Sequence, residues 1–396
     1  MRLLKVVSGV AAVGLVLTAC GSSDSGGGSS ESASAAPSAY AGPVGEGEGE
    51  LNILAWPGYA EDGSTDPAVD WVTPFEAETN CQVNVKTFGT SDEAVKLMQG
   101  GGYDVVSASG DATLRLIAGD NVQAVNVDLV PNYADVFPGL KDKPWNTVNG
   151  VNYGIPHGRG ANLLMWRTDE VTPAPDSWAP TFEADSPYKG TVTAYDSPIF
   201  IADAAVYLMA TQPELGITDP YALDQDQFQA SIDLLTQQKE LIGEYWSDYT
   251  KQIASFKAGT STIGTSWQVI VNLAQGEEIP VDAVKPKEGA TGWSDTWMVA
   301  KDTQNINCAY KWLDWIVSPE VNAQVAEWFG EAPANAKSCA LTENEDHCAV
   351  FHADTEDYWT DVYYWNTPST QCLDGRTDVQ CVPYSEWATA WTSLRS

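Results

Sequence analysis

From Leu51 onward, two rhythms of apolar spacing alternate along the chain. Leu51-Asn52-Ile53-Leu54-Ala55-Trp56 alternates weakly and is bounded by Pro57-Gly58, which predicts a strand ending in a turn. Trp71, Val72 and Phe75 then mark one face of a helix running to Glu78. Val83 and Val85 alternate with polar neighbours between Cys81 and Thr87, a second strand. A helix over Asp92 to Met98 stops at Gly100-Gly101-Gly102. Tyr103-Asp104-Val105-Val106 predicts a third strand. It runs into the small polar turn Ser107-Ala108-Ser109-Gly110, and Leu114 to Ala118 is helical. Strands and helices in alternation predict right-handed crossovers and a mainly parallel sheet.

The pattern restarts after Tyr153-Gly154-Ile155-Pro156. Strands are predicted over Ala161 to Trp166, Thr191 to Tyr195, Ser261 to Gly264 and Asp295 to Ala300. Helices are predicted over Ile201 to Ala210, Val269 to Ala274 and Cys308 to Ile316. Another covers Asp226 to Lys239, with Phe228, Ile232 and Leu235 on one stripe. Ser318-Pro319-Glu320 opens a further helix to Phe329. No repeat is visible. From Cys339 on, short loops and aromatic residues dominate, and Trp387 and Trp391 share one face of a final helix.

The segment before Leu51 has a different character. Met1, Arg2 and Lys5 precede an apolar run, Val6 to Leu17, too short to span a membrane comfortably. It ends in Leu17-Thr18-Ala19-Cys20. That ending resembles a bacterial lipobox, which implies cleavage after residue 19 and a lipid anchor on the Cys20 thiol. An ordinary secretory leader with an unmodified cysteine is the plainer alternative. Residues 20–50 are nearly all Gly, Ser, Ala, Pro and Glu, and read as a flexible tether with a reach of roughly 30 Å. The remaining stretch, about 345 residues, is too long for one ordinary core and predicts two lobes.

A formal charge of −34 argues against nucleic acid as a partner and favours cationic ligands over anionic ones. Much of that acidity is ordinary solvated surface. Six cysteines follow Cys20, an even number in an exported chain, and so predict three disulfides. Cys339–Cys348 and Cys372–Cys381 are the favoured local pairs, leaving Cys81–Cys308, among 15 possible connectivities. A metal site from Cys339, His347, Cys348 and His352 is the rival, but the spacing fits no standard zinc pattern. No metal and no cofactor are expected.

Standard catalytic signatures are missing: no phosphate-binding Walker loop, no Gly-x-Ser-x-Gly elbow and no His-Glu-x-x-His. The chain is therefore expected not to be an enzyme, although a carbohydrate-active enzyme using paired carboxylates is not removed by counting acids. Aromatic and acidic residues at strand ends carry a stronger signal. A protonated amine withdrawn from water needs carboxylates for charge and indole or phenol faces for packing. Such groups follow predicted strands at Trp56, Tyr59, Ser107, Ser109, Asp196, Trp267, Trp293 and Asp295. Taken singly, each is more often structural.

Pro286-Lys287-Glu288-Gly289-Ala290-Thr291-Gly292-Trp293-Ser294-Asp295 resembles the Pro-Lys-Glu-Gly…Trp-x-Asp segment of bacterial spermidine/putrescine-binding proteins, solute receptors of ABC importers. Leu54 to Tyr59, Tyr103 to Ser107, Gly154-Ile155-Pro156 and Gly330 to Asn335 resemble further segments of that family, in order. The resemblance implies an α/β, two-lobe periplasmic-binding-protein-like fold with mainly parallel mixed sheets and a hinge. Lobe 1 would comprise 51–156 plus 296–396, its Cys-rich end an elaboration, and lobe 2 would comprise 157–295. It also implies Asp295 binding an amine, Trp293 and Trp267 stacking on the alkyl chain, Trp56 and Tyr59 walling the first lobe, and Ser107 giving a hydrogen bond. Asp196 would be the second-lobe carboxylate. Arg159 departs from the family pattern. In the cleft it would suit a solute bearing a carboxylate, such as an ω-amino acid; otherwise it faces solvent or pairs with an acid. The expected partners are a small amine and a membrane permease. Lipid would be the only membrane attachment, and the receptor would be a monomer outside the cytoplasmic membrane.

Overall fold

The computed structural model describes residues 39–396; Cys20 and the leader lie outside the described residues. Two five-stranded mixed sheets organise the chain. The first runs in the order Gln82–Thr87, Glu50–Ala55, Val105–Ala108, Thr296–Val299, Ile155–Pro156. The second runs Ile242–Trp246, Val192–Tyr195, Ile263–Ser266, Leu163–Arg167, Val281–Val284. In each sheet the first three strands are parallel and the last two antiparallel to their neighbours. Each has its own apolar core. The first is centred on Leu51, Ile53, Val105, Trp297, Trp312 and Leu313. The second is centred on Leu164, Val192, Ile201, Phe256 and Ile263. These are the two lobes of a periplasmic-binding-protein-like fold.

The chain passes between the lobes three times, and the first two passages pair with each other. Gly158–Ala161 lies antiparallel to Ala290–Trp293 in a small third sheet, completed by Ala332–Pro333 and Val362–Tyr364. Gly160 sits opposite Trp293 in this register. A Cβ there would come within 2.3 Å of the Trp293 ring, so the absent side chain is what lets the indole lie flat across the strand.

Predicted and observed elements coincide within a few residues through both halves. Ile242–Trp246, Tyr249–Ala258, Val281–Val284 and Ala290–Trp293 were not predicted, because neither period is clear in those stretches. The tether ends sooner than expected. Tyr40 packs on Tyr310, and the Glu48 carboxylate accepts hydrogen bonds from the backbone N–H groups of Asn307 and Cys308, each at 2.9 Å. Those N–H groups open the helix Ile306–Ile316 and have no partner within it, so an acid there is stabilising.

The tail also differs from expectation. Trp365, Val382, Trp387, Trp391 and Leu394 pack into the second lobe's core, whereas the sequence reading attached this segment to the first. The final helix, Tyr384–Arg395, presents Trp387 to Phe228 and Trp391 to Phe200, and burying these indoles draws the tail onto the second lobe.

All three disulfides form as paired from the sequence: Cys81–Cys308, Cys339–Cys348 and Cys372–Cys381. They close loops of very different length, 227 residues for the first and 9 for each of the others. In the chain-entropy model the first restricts the unfolded chain by about 5 kcal/mol and a short one by about 3. Replacing Cys81 and Cys308 together by Ala should therefore lower urea-unfolding stability by more than replacing Cys372 and Cys381. Equal losses would contradict the loop-length account.

Candidate functional site

A cavity of about 520 Å³ lies where strand ends of the two sheets and the crossing strands converge. Ligands of open α/β sheets bind in this position, beyond the carboxyl ends of strands. Trp56 and Tyr59 follow the strand Glu50–Ala55. Gly58 turns the chain between them with φ of +92°, a conformation that disfavours any residue with a Cβ. Ser109 follows Val105–Ala108 and precedes the helix Gly110–Ala118. Trp267 follows Ile263–Ser266 at the head of the helix Gln268–Gly276. Trp293 and Asp295 stand where the second crossing strand enters the first sheet.

Six of the residues singled out from the sequence thus line one cavity: Trp56, Tyr59, Ser109, Trp267, Trp293 and Asp295. Three do not. Ser107 is fully buried behind the wall, where its Oγ accepts the Trp56 backbone N–H at 3.3 Å. It holds the loop and does not face a ligand. Asp196 is taken by the tail: Arg395 donates to both of its oxygens, at 2.9 and 3.1 Å, and the Trp391 indole donates at 3.1 Å. A carboxylate so paired has no need of a second cation. Arg159 is 2% exposed and turned away from the cavity. Its guanidinium donates to Glu356 at 2.8 Å and to the Ala353 carbonyl at 3.0 Å, and lies 4.3 Å over the Trp359 ring. All of these partners belong to the unexpected tail.

The rest of the wall was missed by sequence reasoning. Phe88, Tyr249, Trp328, Phe329 and Trp365 complete an aromatic enclosure, and Glu61 and Glu277 add acids. Glu61 lies two residues after Tyr59, in a loop already singled out, and could have been found. Trp365 could not, because it reaches the cavity from the tail, stacked on Tyr195. Glu61 is 9% exposed and forms no ion pair among the described residues, whereas the exposed Glu277 pairs with Lys257 at 2.7 Å. No Lys, Arg or His lines the cavity among the described residues.

Asp295 is the most deeply set of these acids, at 3% exposure. Ser109 Oγ donates to Oδ1 at 2.5 Å and the Tyr59 hydroxyl to Oδ2 at 2.9 Å. These bonds favour the ionised form, but burial outweighs them and raises the carboxyl to about 7. Behind Tyr59 lies Glu331, wholly enclosed, its Oε2 3.4 Å from the same hydroxyl. Tyr59 has a single proton and commits it to the shorter contact. Burial and the neighbouring Asp295 raise Glu331 well above the usual carboxylate range. His157 Nε2 stands 3.3 Å from Glu331 Oε1. Trp297 donates its indole N–H to His157 Nδ1 at 2.8 Å, which places the imidazole proton on Nε2. Burial lowers His157 to about 3, so the ring is neutral and supplies no counter-charge. The site is a half-made ion pair: an aromatic cage around a carboxylate that lacks its cation.

Among the described residues no group of His, Cys, Asp and Glu is placed to hold a metal ion, and no helix is long and apolar enough to cross a membrane.

Fold and site together define a receptor with a small-molecule cleft. The family model for bacterial extracellular solute-binding proteins matches residues 70–351, and the chain belongs to that family. Among its relatives, the spermidine/putrescine-binding periplasmic protein of Escherichia coli K12 is 24% identical over 299 residues, covering 72% of this chain and 82% of that one. The fold superposes with a TM-score of 0.67 on the spermidine/putrescine ABC transporter substrate-binding protein of Streptococcus pneumoniae, at 19% identity, covering 88% of this chain and 99% of the other. It superposes equally, at 0.67 and 17% identity, on a binding protein of A. tumefaciens B6 solved with glucopine, covering 88% of this chain and all of that one.

The raised carboxyl makes a stability prediction. Unfolded, Asp295 would titrate near 3.9; folded, it titrates near 7. Its contribution is fully present below about pH 4 and is lost as pH rises through 7. The ligand-free wild type should therefore lose stability relative to Asp295→Asn between pH 5 and pH 8, by on the order of 2 kcal/mol, in urea titrations of both proteins. A pH-independent difference would mean that Asp295 is solvated.

Proposed function

We propose that this chain is the solute receptor of an ABC importer and that it captures a polyamine such as putrescine or spermidine in the cleft. One observation carries the reading. The charged side chains lining the cavity, Asp295, Glu61 and Glu277, are all carboxylates, and the remaining wall is dominated by indole, phenol and phenyl faces. A cationic ammonium completes the ion pair that Asp295 lacks, the rings pack along its methylenes, and Glu61 receives a second ammonium. The Escherichia coli relative named for spermidine and putrescine adds support.

Capture proceeds by closure. Solute settles on Trp56, Tyr59 and Asp295, and the second lobe brings Trp267 and Trp365 over it, with the paired crossing strands as the hinge. The closed form then docks a permease. Cys20 and its lipobox support a lipid anchor at the outer face of the cytoplasmic membrane, with the monomeric receptor tethered beside its importer. No covalent chemistry is assigned to the chain.

An ω-amino acid is the weaker ligand, since its carboxylate finds no cationic side chain in the wall among the described residues and Arg159 is engaged by Glu356. A quaternary amine is the stronger second reading, because Arg395 removes Asp196 from service and leaves Asp295 as the one fully enclosed acid of the wall.

Calorimetry at pH 8 with putrescine, spermidine, γ-aminobutyrate and choline separates these ligands. Putrescine or spermidine should bind, and Asp295→Asn should weaken either by about 100-fold, the effect of removing one partner of a buried charge pair. Glu61→Gln should weaken putrescine more than butylamine. Heat from choline alone would select the quaternary amine. Heat from γ-aminobutyrate alone, or unchanged affinity in Asp295→Asn, would overturn the assignment.

A further inference from the structure

Behind the second-lobe wall runs a buried hydrogen-bonded chain whose members beyond Trp267 do not line the cavity. The indole N–H of Trp267 donates to Asn162 Oδ1 at 3.0 Å. Asn162 Nδ2 donates to Thr291 Oγ1 at 2.7 Å, and Thr291 Oγ1 donates to Asp203 Oδ1 at 2.9 Å. Asn162 and Thr291 are each 1% exposed and Asp203 is 5% exposed. Asp203 has no cationic partner among the described residues.

The polarity of this chain is forced from both ends. An indole nitrogen can only donate, so Asn162 must turn its oxygen to Trp267 and its amide nitrogen to Thr291. Thr291 then accepts from Asn162 and has only its own proton left to give. An ionised carboxylate, which can only accept, is the group that receives that proton without competing. A buried acid far from any cation is costly, and its retention here needs a reason. The geometry supplies one. Asn162 follows the first crossing strand, Thr291 lies in the second, and the Asn162 backbone N–H also donates to the Thr291 carbonyl at 2.8 Å. Trp293 is two residues beyond Thr291 on the same strand. The chain therefore sets the Trp267 ring plane against the strand that carries Trp293.

We propose that Asp203, Thr291 and Asn162 are positioning residues that fix the Trp267 indole at the angle needed to close on the bound solute. The proposal rests on the cavity reading above for its ligand and on the hydrogen bonds alone for its geometry. Loss of the acceptor at 203 or of the hydroxyl at 291 frees Asn162 to flip, which would set its amide N–H against the indole N–H.

Two readouts test it, both at pH 8, where Asp203, raised to about 7 by burial, is ionised. The first needs no ligand: hydrogen exchange of the Trp267 indole N–H by NMR, with its resonance identified by loss in Trp267→Phe. Thr291→Val, close in volume to the native side chain, should accelerate that exchange at least tenfold, and Thr291→Ser, which keeps the hydroxyl, should restore it. The second is spermidine affinity. Thr291→Val should weaken binding about tenfold in the wild-type background and not at all in Trp267→Phe, which keeps an aromatic ring but has no N–H to orient. Asp203→Leu, which leaves no acceptor at this position, should follow Thr291→Val. Unaltered indole exchange in Thr291→Val overturns the relay. Accelerated exchange with unchanged spermidine affinity, or an equal loss in the Trp267→Phe background, makes these residues structural only and also overturns the proposal. If wild-type protein binds none of the amines, the ligand reading fails, while the exchange measurement still decides the relay.

Discussion

The structure turns on a carboxylate withdrawn from water without a cation to pair with it. Among the described residues, two hydroxyl donors, from Ser109 and Tyr59, are all that the protein offers the Asp295 carboxylate. They do not offset burial, so the empty site holds a proton near neutrality or bears the cost of an isolated charge. A ligand that brings one positive charge and apolar surface relieves both conditions at once. The aromatic enclosure then has a double role. It lowers the local dielectric, which strengthens attraction to Asp295, and it supplies faces that pack on methylenes.

Much of the surrounding architecture serves to keep that carboxylate dry and correctly placed. Asp295 stands at the end of a chain passage, tied through its carbonyl to the His157 N–H on the opposite passage at 2.9 Å. Glu331, its carboxyl raised by burial, and the neutral His157 fill the space behind Tyr59, so among the described residues no cation there competes for Asp295. The tail contributes from outside either sheet. It neutralises Asp196 through Arg395, engages Arg159 through Glu356, and lends Trp365 to the cavity. It also reaches the first lobe, where Tyr384 donates to Asp92 at 2.9 Å and Thr367 donates to the Asp111 carbonyl at 2.8 Å. A segment packed in one lobe and hydrogen-bonded to the other is placed to respond to closure.

The sequence carried the local part of this picture and lost the long-range part. Alternation and helical spacing placed most strands because those signals depend on near neighbours, as at Leu51 to Trp56 and Thr191 to Tyr195. The Trp293-x-Asp295 pair was legible because both residues sit on one short stretch ending in the cleft. Cysteine parity and proximity gave the short disulfides and, by remainder, the long one. Asp196 was misread because its partner Arg395 lies 199 residues away. Trp365 was obscured for the same reason, since it comes from a tail with no periodic pattern, whereas Arg159 pairs with an acid, the alternative the sequence left open to a place in the cleft. Glu331 lay inside a quoted motif, Gly330 to Asn335, yet nothing local indicated that its carboxylate would be enclosed beside Tyr59.

The most direct test of the account follows the Asp295 carboxyl itself. Its 13Cγ resonance, identified by comparison with Asp295→Asn, reports protonation. At pH 6 the ligand-free protein should show the shift of a neutral carboxyl, and saturating spermidine should move it to that of a carboxylate. An Asp295 resonance that stays put while spermidine binds would contradict the claim that this buried acid is the counter-charge for the solute.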